Sequence, residues 1–162
     1  MVRVKRLLLL FIPLLLLCSA CEKSPPKAED SAQALYLRVC ETFGGTGAFL
    51  IADSDFAKTN FEGCDGIDEA LICFGEGGEN REFGIFRVST HRQALALKER
   101  IRAYLSREQE ALHSIAALYP AEELEEKLAL YRDATIGIDG DTVYYFVMDP
   151  KDTTRALAAL KQ

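Results

Sequence analysis

The chain has no tryptophan and only two histidines, and both shortages narrow its chemistry. Without tryptophan there is no indole platform for a sugar ring, although tyrosine can take that place. His91 and His113 fall on one predicted helix, where twenty-two positions separate them by about 33 Å. We therefore expect no zinc site built on both imidazoles, and no metal or other cofactor. Either histidine could act alone as a base, but a surface position on the helix is the simpler interpretation.

Positive charge is also scarce. The chain has 19 Lys and Arg residues against 25 Asp and Glu, a formal net charge of −6. Removal of residues 1–20 takes away three basic residues and no acidic one, which leaves 16 against 25, or −9. Nucleic acids and anionic lipid surfaces are bound by clustered Lys and Arg. The composition therefore argues against a nucleic-acid partner and against docking on lipid headgroups by charge.

Cysteines are few, with three beyond position 21: Cys40, Cys64 and Cys73. An odd number in an exported chain leaves at least one thiol free or paired between chains. Cys64 and Cys73 are near enough in sequence for a loop to join them, so they are the candidate disulfide. Because no CxxC motif or dense cysteine framework is present, three reduced thiols is an equal alternative.

The first 21 residues have the pattern of an export signal. Basic residues at positions 3, 5 and 6 precede an apolar run over 7–17, and such a basic end stays on the cytoplasmic side. As a helix, 7–20 would reach about 21 Å, short of the roughly 30 Å hydrocarbon core, and Pro13 interrupts it. A permanent spanning helix is therefore the weaker interpretation.

Ser19 and Ala20 precede Cys21, an arrangement that resembles the signal peptide of bacterial lipoproteins. The resemblance implies that the Cys21 thiol receives a diacylglyceryl group and becomes the new N-terminus, carrying acyl chains such as palmitate. Cys18 cannot be the lipidated residue, because the bulky Leu17 directly precedes it. Cys18 itself stands at the position where such signals most often have Leu. The alternative is an ordinary signal peptide cut after Ala20.

These patterns divide the chain into three parts: a signal peptide over 1–20, a lipid-anchored tether over 21–30, and a single domain over 31–162. The tether contains two prolines and almost no apolar residue, which favours a short, stiff spacer. About 140 residues remain, enough for one domain with a substantial core.

Within the domain, helices alternate with hairpins. Strands joined by tight hairpins rather than crossover helices predict an α+β fold, with a mainly antiparallel sheet of about four strands in two hairpins and helices packed on one face. The first predicted elements are a helix from Asp30 or Ser31 to about Phe43, then a loop over 48–66 with one helical turn near 55–59. Strands at 69–75 and 82–88 follow, and then a helix from Thr90 to about Leu118 and a second helix from Pro120. The chain closes with a hairpin that turns at Asp139 and Gly140 and a helix over 150–161.

The succession EALICF, EFGIFRV, ALKERI, YPAEE and GDTVYYFV resembles a family of small bacterial lipoproteins, the domain-of-unknown-function 4358 family. The resemblance covers about 61–147 and lies in the order of elements and their apolar pattern. It implies a surface lipoprotein on the extracytoplasmic side of the membrane, and it assigns no functional residue.

Three stretches that could carry chemistry have simpler structural interpretations. The glycine cluster over 44–47 follows a helix and lacks the Lys-Ser/Thr of a phosphate loop, so it predicts a helix end. The acidic residues within 122–126 share one solvated environment, whereas acid–base pairs need contrasting ones. Tyr144, Tyr145 and Phe146 alternate across a strand, which favours core packing over a groove.

No motif names a reaction. We expect a non-enzymatic, lipid-anchored accessory or binding domain of the cell envelope, with an envelope protein or wall component as its partner. Arg100, Arg102 and Arg107 could meet such a partner if it is acidic, although a solvated helix face is the simpler explanation. Two alternatives stay open: a small-ligand or peptide-binding lipoprotein that serves a transporter, and an envelope hydrolase.

Overall fold

The computed structural model describes residues 31–61 and 66–162. The predicted signal peptide, the tether with Cys21, and Cys64 lie outside these ranges. Among the described residues, no helix combines the length and apolar content that a membrane crossing requires. The helices are α1 Ala32–Glu41, α2 Ser54–Asn60, α3 His91–Ser114, α4 Ala121–Arg132 and α5 Pro150–Leu160. The strands are β1 Phe49–Ile51, β2 Ile67–Gly75, β3 Glu82–Val88, β4 Thr135–Asp139 and β5 Thr142–Val147.

The described strands form one antiparallel sheet in the order β1-β2-β3-β5-β4. The α+β class and the two predicted hairpins are confirmed, but the expected number of strands was too low by one. The missed strand is β1, which pairs Phe49 with Gly75 and Ile51 with Cys73 at the edge of the sheet. Three residues are too few to show the alternation by which longer strands are recognised.

The prediction that helices pack on one face of the sheet is wrong, because helices cover both. On one face Phe83 and Phe146 pack with α1 and α5; on the other Phe86 and Val143 pack with α3. We call these the α1 face and the α3 face. Strands β2, β3 and β5 carry apolar side chains on both sides, and each apolar face must be covered by another layer.

The predicted starts of the helices are largely confirmed. The Ser31 hydroxyl accepts the amide of Ala34 at 3.1 Å, and the Thr90 hydroxyl accepts the amide of Gln93 at 3.3 Å. The glycine cluster ends α1 as expected, since Gly44 has a positive φ of 95°. Some helix boundaries differ: α1 ends at Glu41 instead of about Phe43, α3 gives way to a 3-10 turn over Ala116–Leu118, and Pro120 precedes the first residue of α4.

Candidate functional site

Glu82 is the most buried charged side chain in the described part of the chain, with 3 % of its surface exposed. It is the first residue of β3 and shares the α3 face with Gly84 and Phe86, since side chains alternate along a strand. Its cross-strand partner is Val147 on β5. A carboxylate therefore lies inside the layer between the sheet and the helices, where a charge is costly unless its oxygens are bonded.

Three tyrosine hydroxyls donate to this carboxylate. Tyr145 on β5 donates to Oε1 at 2.6 Å, and Tyr104 on α3 donates to the same oxygen at 2.8 Å. Tyr131 on α4 donates to Oε2 at 3.0 Å. We call these four residues the Glu82 cluster. One acid thus links β3 to β5 and to two helices of the layer above them.

Gly84 makes room for the shortest of these bonds. Gly84 and Tyr145 are directly paired across β3 and β5, and a Cβ added to Gly84 would collide with the ring of Tyr145. The tyrosine ring therefore lies over the bare backbone of its partner, and its hydroxyl reaches Glu82 two residues away on the same face. Glycine is needed here for close approach rather than for an unusual backbone angle.

Burial raises the pKa of the Glu82 carboxyl above its ordinary value, because desolvation penalises the charged form. The tyrosine hydrogen bonds oppose this rise, and the charge of Glu108 on α3 adds to it. Burial and the neighbouring Glu82 also raise the pKa values of Tyr104, Tyr131 and Tyr145. The three phenols therefore stay protonated as hydrogen-bond donors.

A cavity of about 180 Å³ adjoins the Glu82 cluster. It reaches the surface at Glu79 and Asn80, which are exposed, and Glu82 is the most buried of its polar lining residues. Most of its wall is apolar. Its wall includes Phe74, Leu112, Lys127, Leu130, Tyr131 and Val147.

The two cationic side chains that line the cavity are already paired with other acids. Arg81 contacts Asp152 at 3.1 Å and Glu79 at 3.0 Å. Lys127 lies 3.6 Å from Glu123, and its ammonium group sits 4.6 Å from the centre of the Tyr119 ring. Of the residues that the structure describes, no Lys, Arg or His lies within ion-pair distance of Glu82.

The structure does not bring the predicted candidates together. His91 and His113 are exposed near opposite ends of the continuous helix α3, which keeps the two imidazoles far apart. In the described ranges no group of His, Cys, Asp and Glu side chains is arranged to hold a metal ion. The residues found exposed, as their simpler interpretations required, are Arg100, Arg102, Arg107, Glu122, Glu123, Glu125 and Glu126.

The described cysteines lie in the core of the α1 face. Cys40 and Cys73 are both fully buried, and burial raises the pKa of each thiol, which disfavours the reactive thiolate. Cys64, the candidate partner of Cys73, lies outside the described residues, so that disulfide stays a prediction. Lipidation at Cys21 stays a prediction for the same reason.

Glu82 was not singled out from the sequence. Core packing was favoured for Tyr145, and its full burial confirms that position. The sequence did contain a signal for a buried acid, because Glu82 alternates in step with Gly84 and Phe86 on an otherwise apolar face of the strand. An acid at such a position needs donors from elsewhere in the chain, and buried tyrosines are natural candidates.

None of the protein-family models, curated proteins or solved structures compared with this chain matches it. The resemblance to the domain-of-unknown-function 4358 family therefore stays a prediction that rests on the order of elements and their apolar pattern.

Proposed function

We propose that the chain is a non-enzymatic, lipid-anchored binding domain of the cell envelope, and that its ligand site is the cavity beside the Glu82 cluster. One observation carries the proposal: a buried carboxylate without a cationic partner among the described residues lines a cavity that reaches the surface. The domain would stand on the extracytoplasmic side of the membrane, held by acyl chains on Cys21.

The energetics of Glu82 favour a role beyond stability. Replacing a whole buried ion pair by apolar residues of similar volume often leaves stability unchanged or raises it, so a buried charge is weak evidence for a purely stabilising role. An acid kept in such a position, with its pKa raised by desolvation and a cavity at its side, is typical of functional sites. The apolar walls with few polar groups have the composition of a small-molecule site.

The size of the cavity limits the ligand. Sites for drug-sized molecules span roughly 300 to 1,000 Å³, and this cavity is about 180 Å³. The ligand is therefore a small solute or one short side chain of an envelope component. A ligand of this size also suits the alternative function, a ligand-binding lipoprotein that serves a transporter.

The cluster geometry favours binding over hydrolysis. A nucleophilic hydroxyl is activated by a neighbouring base that lowers its effective pKa. Here all three phenols donate to one acid, and their pKa values are raised. The three phenols hold the carboxylate in place, and their raised pKa values leave them weak nucleophiles.

The lipid anchor is supported by the order of basic residues, apolar run and small residues before Cys21. Two acyl chains hold a protein on a bilayer far more firmly than one, because each buried methylene contributes about 0.8 kcal/mol. Attachment by Cys21 needs no spanning helix in the folded domain.

The proposal is tested by ligand screening of the full, detergent-solubilised lipoprotein. Thermal unfolding would be recorded against a panel of small amines, amino acids, alcohols, carboxylates and sugars. A ligand at one hundred times its Kd stabilises the folded state by about 2.7 kcal/mol, which raises Tm by several degrees. We expect at least one solute to do so in the wild type and in Glu122→Gln, an exposed acid variant, but not in Glu82→Gln. The binding site is wrong if no solute raises Tm, or if Glu82→Gln responds like the wild type.

A further inference from the structure

We infer that the ligand of this cavity is a small organic cation, an alkylammonium group whose nitrogen donates to Oε2 of Glu82 while its carbon chain lies along the apolar wall. The inference rests on the proposed function and names its ligand class.

The charges around the cavity favour a cationic ligand. Arg81 and Lys127 line it but are held by Asp152, Glu79 and Glu123. Glu82 is neutralised by none of the described cations and is stabilised by phenol donors alone. A cation that enters the cavity supplies the missing opposite charge, and in a poorly solvated site this attraction is much stronger than in water.

The two carboxylate oxygens of Glu82 differ in how many further hydrogen bonds they can accept. Oε1 accepts two hydroxyls, from Tyr104 and Tyr145, which matches its two lone pairs. Oε2 accepts one described hydrogen bond, from Tyr131, and thus keeps one accepting position. Both Tyr131 and Glu82 line the cavity, so the oxygen with spare capacity belongs to the part of the cluster next to it.

The size and polarity of the cavity suit a short alkyl chain. Leu112, Leu130 and Val147 offer aliphatic surface, and Phe74 and Tyr131 add aromatic rings. Rings attract ammonium groups by the cation–π interaction, and aliphatic walls bind methylenes. A water molecule has a share of about 30 Å³ in the liquid, so 180 Å³ accommodates a ligand of about six heavy atoms.

An anionic ligand fits the same space poorly. A carboxylate or phosphate in the cavity would face the oxygens of Glu82, and like charges in a poorly solvated site repel strongly. The charges of its described cationic neighbours, Arg81 and Lys127, are already balanced by Asp152, Glu79 and Glu123.

Three probes of nearly equal size and different charge test the inference: n-butylamine, 1-butanol and butyrate. Each would be titrated calorimetrically at neutral pH into the full, detergent-solubilised lipoprotein. We expect butylammonium to bind the wild type at least ten times more tightly than butanol, and butyrate not to bind. In Glu82→Gln the preference for the amine over the alcohol should disappear.

A second variant keeps the test decisive if Glu82→Gln does not fold. Leu112→Trp fills the cavity from α3 and leaves the Glu82 cluster unaltered, and it should reduce amine binding at least tenfold. If butanol, butyrate or an uncharged panel solute binds tightly in place of the amine, the inference that the ligand is a cation is wrong. The proposal that the cavity is a binding site would remain. Unchanged amine binding in Leu112→Trp would show that the amine binds elsewhere and overturn the inference. Failure of every probe and panel solute would overturn both proposals.

Discussion

The hydroxyl of Tyr145 donates to Oε1 of Glu82 at 2.6 Å, and it reaches this oxygen by lying across Gly84, its paired residue on β3. The bond joins two central strands at the end of β3 next to the cavity. A residue with no side chain thus determines where a buried charge is held, and the accuracy of the site depends on one close packing contact.

Gly84→Ala should therefore disrupt the Glu82 cluster without touching its polar groups. The new methyl group would collide with the Tyr145 ring, which must move and weaken its bond to Glu82. Overpacking typically costs about 1 to 3 kcal/mol, and a hydrogen bond to a charged group contributes about 1.5 to 3 kcal/mol. We expect a loss of about 2 to 4 kcal/mol in the free energy of unfolding, measured by urea denaturation.

Gly47→Ala is the matched control for that substitution. Gly47 is exposed, and a Cβ built there meets nothing within 4 Å. Its effect should stay within about 0.5 kcal/mol, as for most surface substitutions. Equal effects of the two variants would contradict the role assigned to Gly84.

Glu82 should make stability depend on pH. Its pKa in the folded protein is raised from the ordinary 4.5, so the folded state binds the proton more tightly than the unfolded state. The stabilisation is fully present below the unfolded pKa and is lost as the pH rises through the folded pKa. The groups facing Glu82 are the three tyrosines of its cluster, which stay neutral across this range, and Glu108 on α3, whose negative charge raises the pKa further.

The measurement compares urea denaturation of the wild type and Glu82→Gln from about pH 4 to pH 9. As the pH rises, Glu82→Gln should become more stable relative to the wild type. The difference in unfolding free energy should change by about 1.4 kcal/mol for each unit by which folding raises the pKa of Glu82. Glu122→Gln, which removes an exposed carboxylate, should follow the wild-type curve. A constant difference between wild type and Glu82→Gln would show that Glu82 does not titrate differently on folding.

The hydroxyl of Tyr104 should contribute to stability mainly through Glu82. Tyr104→Phe keeps the buried ring and removes one of the two donors to Oε1. Loss of a hydrogen bond to a buried charged group costs about 1.5 to 3 kcal/mol. The same substitution in the Glu82→Gln background should cost less, and a double-mutant cycle by urea denaturation gives the coupling. Additive effects would mean that the bond contributes little.

Periodicity in the sequence predicted α1, α3, α4, α5 and both hairpins, because each is long enough to show its repeat. Strands β2, β3 and β5 are apolar on both sides, yet the expected architecture covered only one face of the sheet. The Glu82 cluster could not be predicted from the sequence, because Glu82 and Tyr145 are 63 positions apart and meet only through sheet pairing and helix packing. Local patterns contain no information about which distant hydroxyl reaches a buried acid.

Glu82 should also make the binding of amines depend on pH. An alkylammonium ion binds the carboxylate form of Glu82, so its apparent Kd should fall as the pH rises through the folded pKa of Glu82 and then level off. The neutral tyrosines and Glu108 face the same acid and do not reverse this direction. Calorimetric titration of n-butylamine at several pH values below its own pKa checks the trend, and a Kd independent of pH would contradict it.

Cys21→Ser should abolish lipid attachment, because its thiol is the predicted acceptor of the diacylglyceryl group. Cells expressing the wild type, Cys21→Ser or Cys18→Ser would be fed an alkyne-tagged palmitate, and the purified protein would be assayed for the tag and for intact mass. We expect label and the mass of a chain beginning at Cys21 in the wild type and in Cys18→Ser. Cys21→Ser should carry no label, since serine has no thiol to form the thioether. Label in Cys21→Ser would place the acyl group on another residue, and an unlabelled wild type cut after Ala20 would establish an ordinary signal peptide instead.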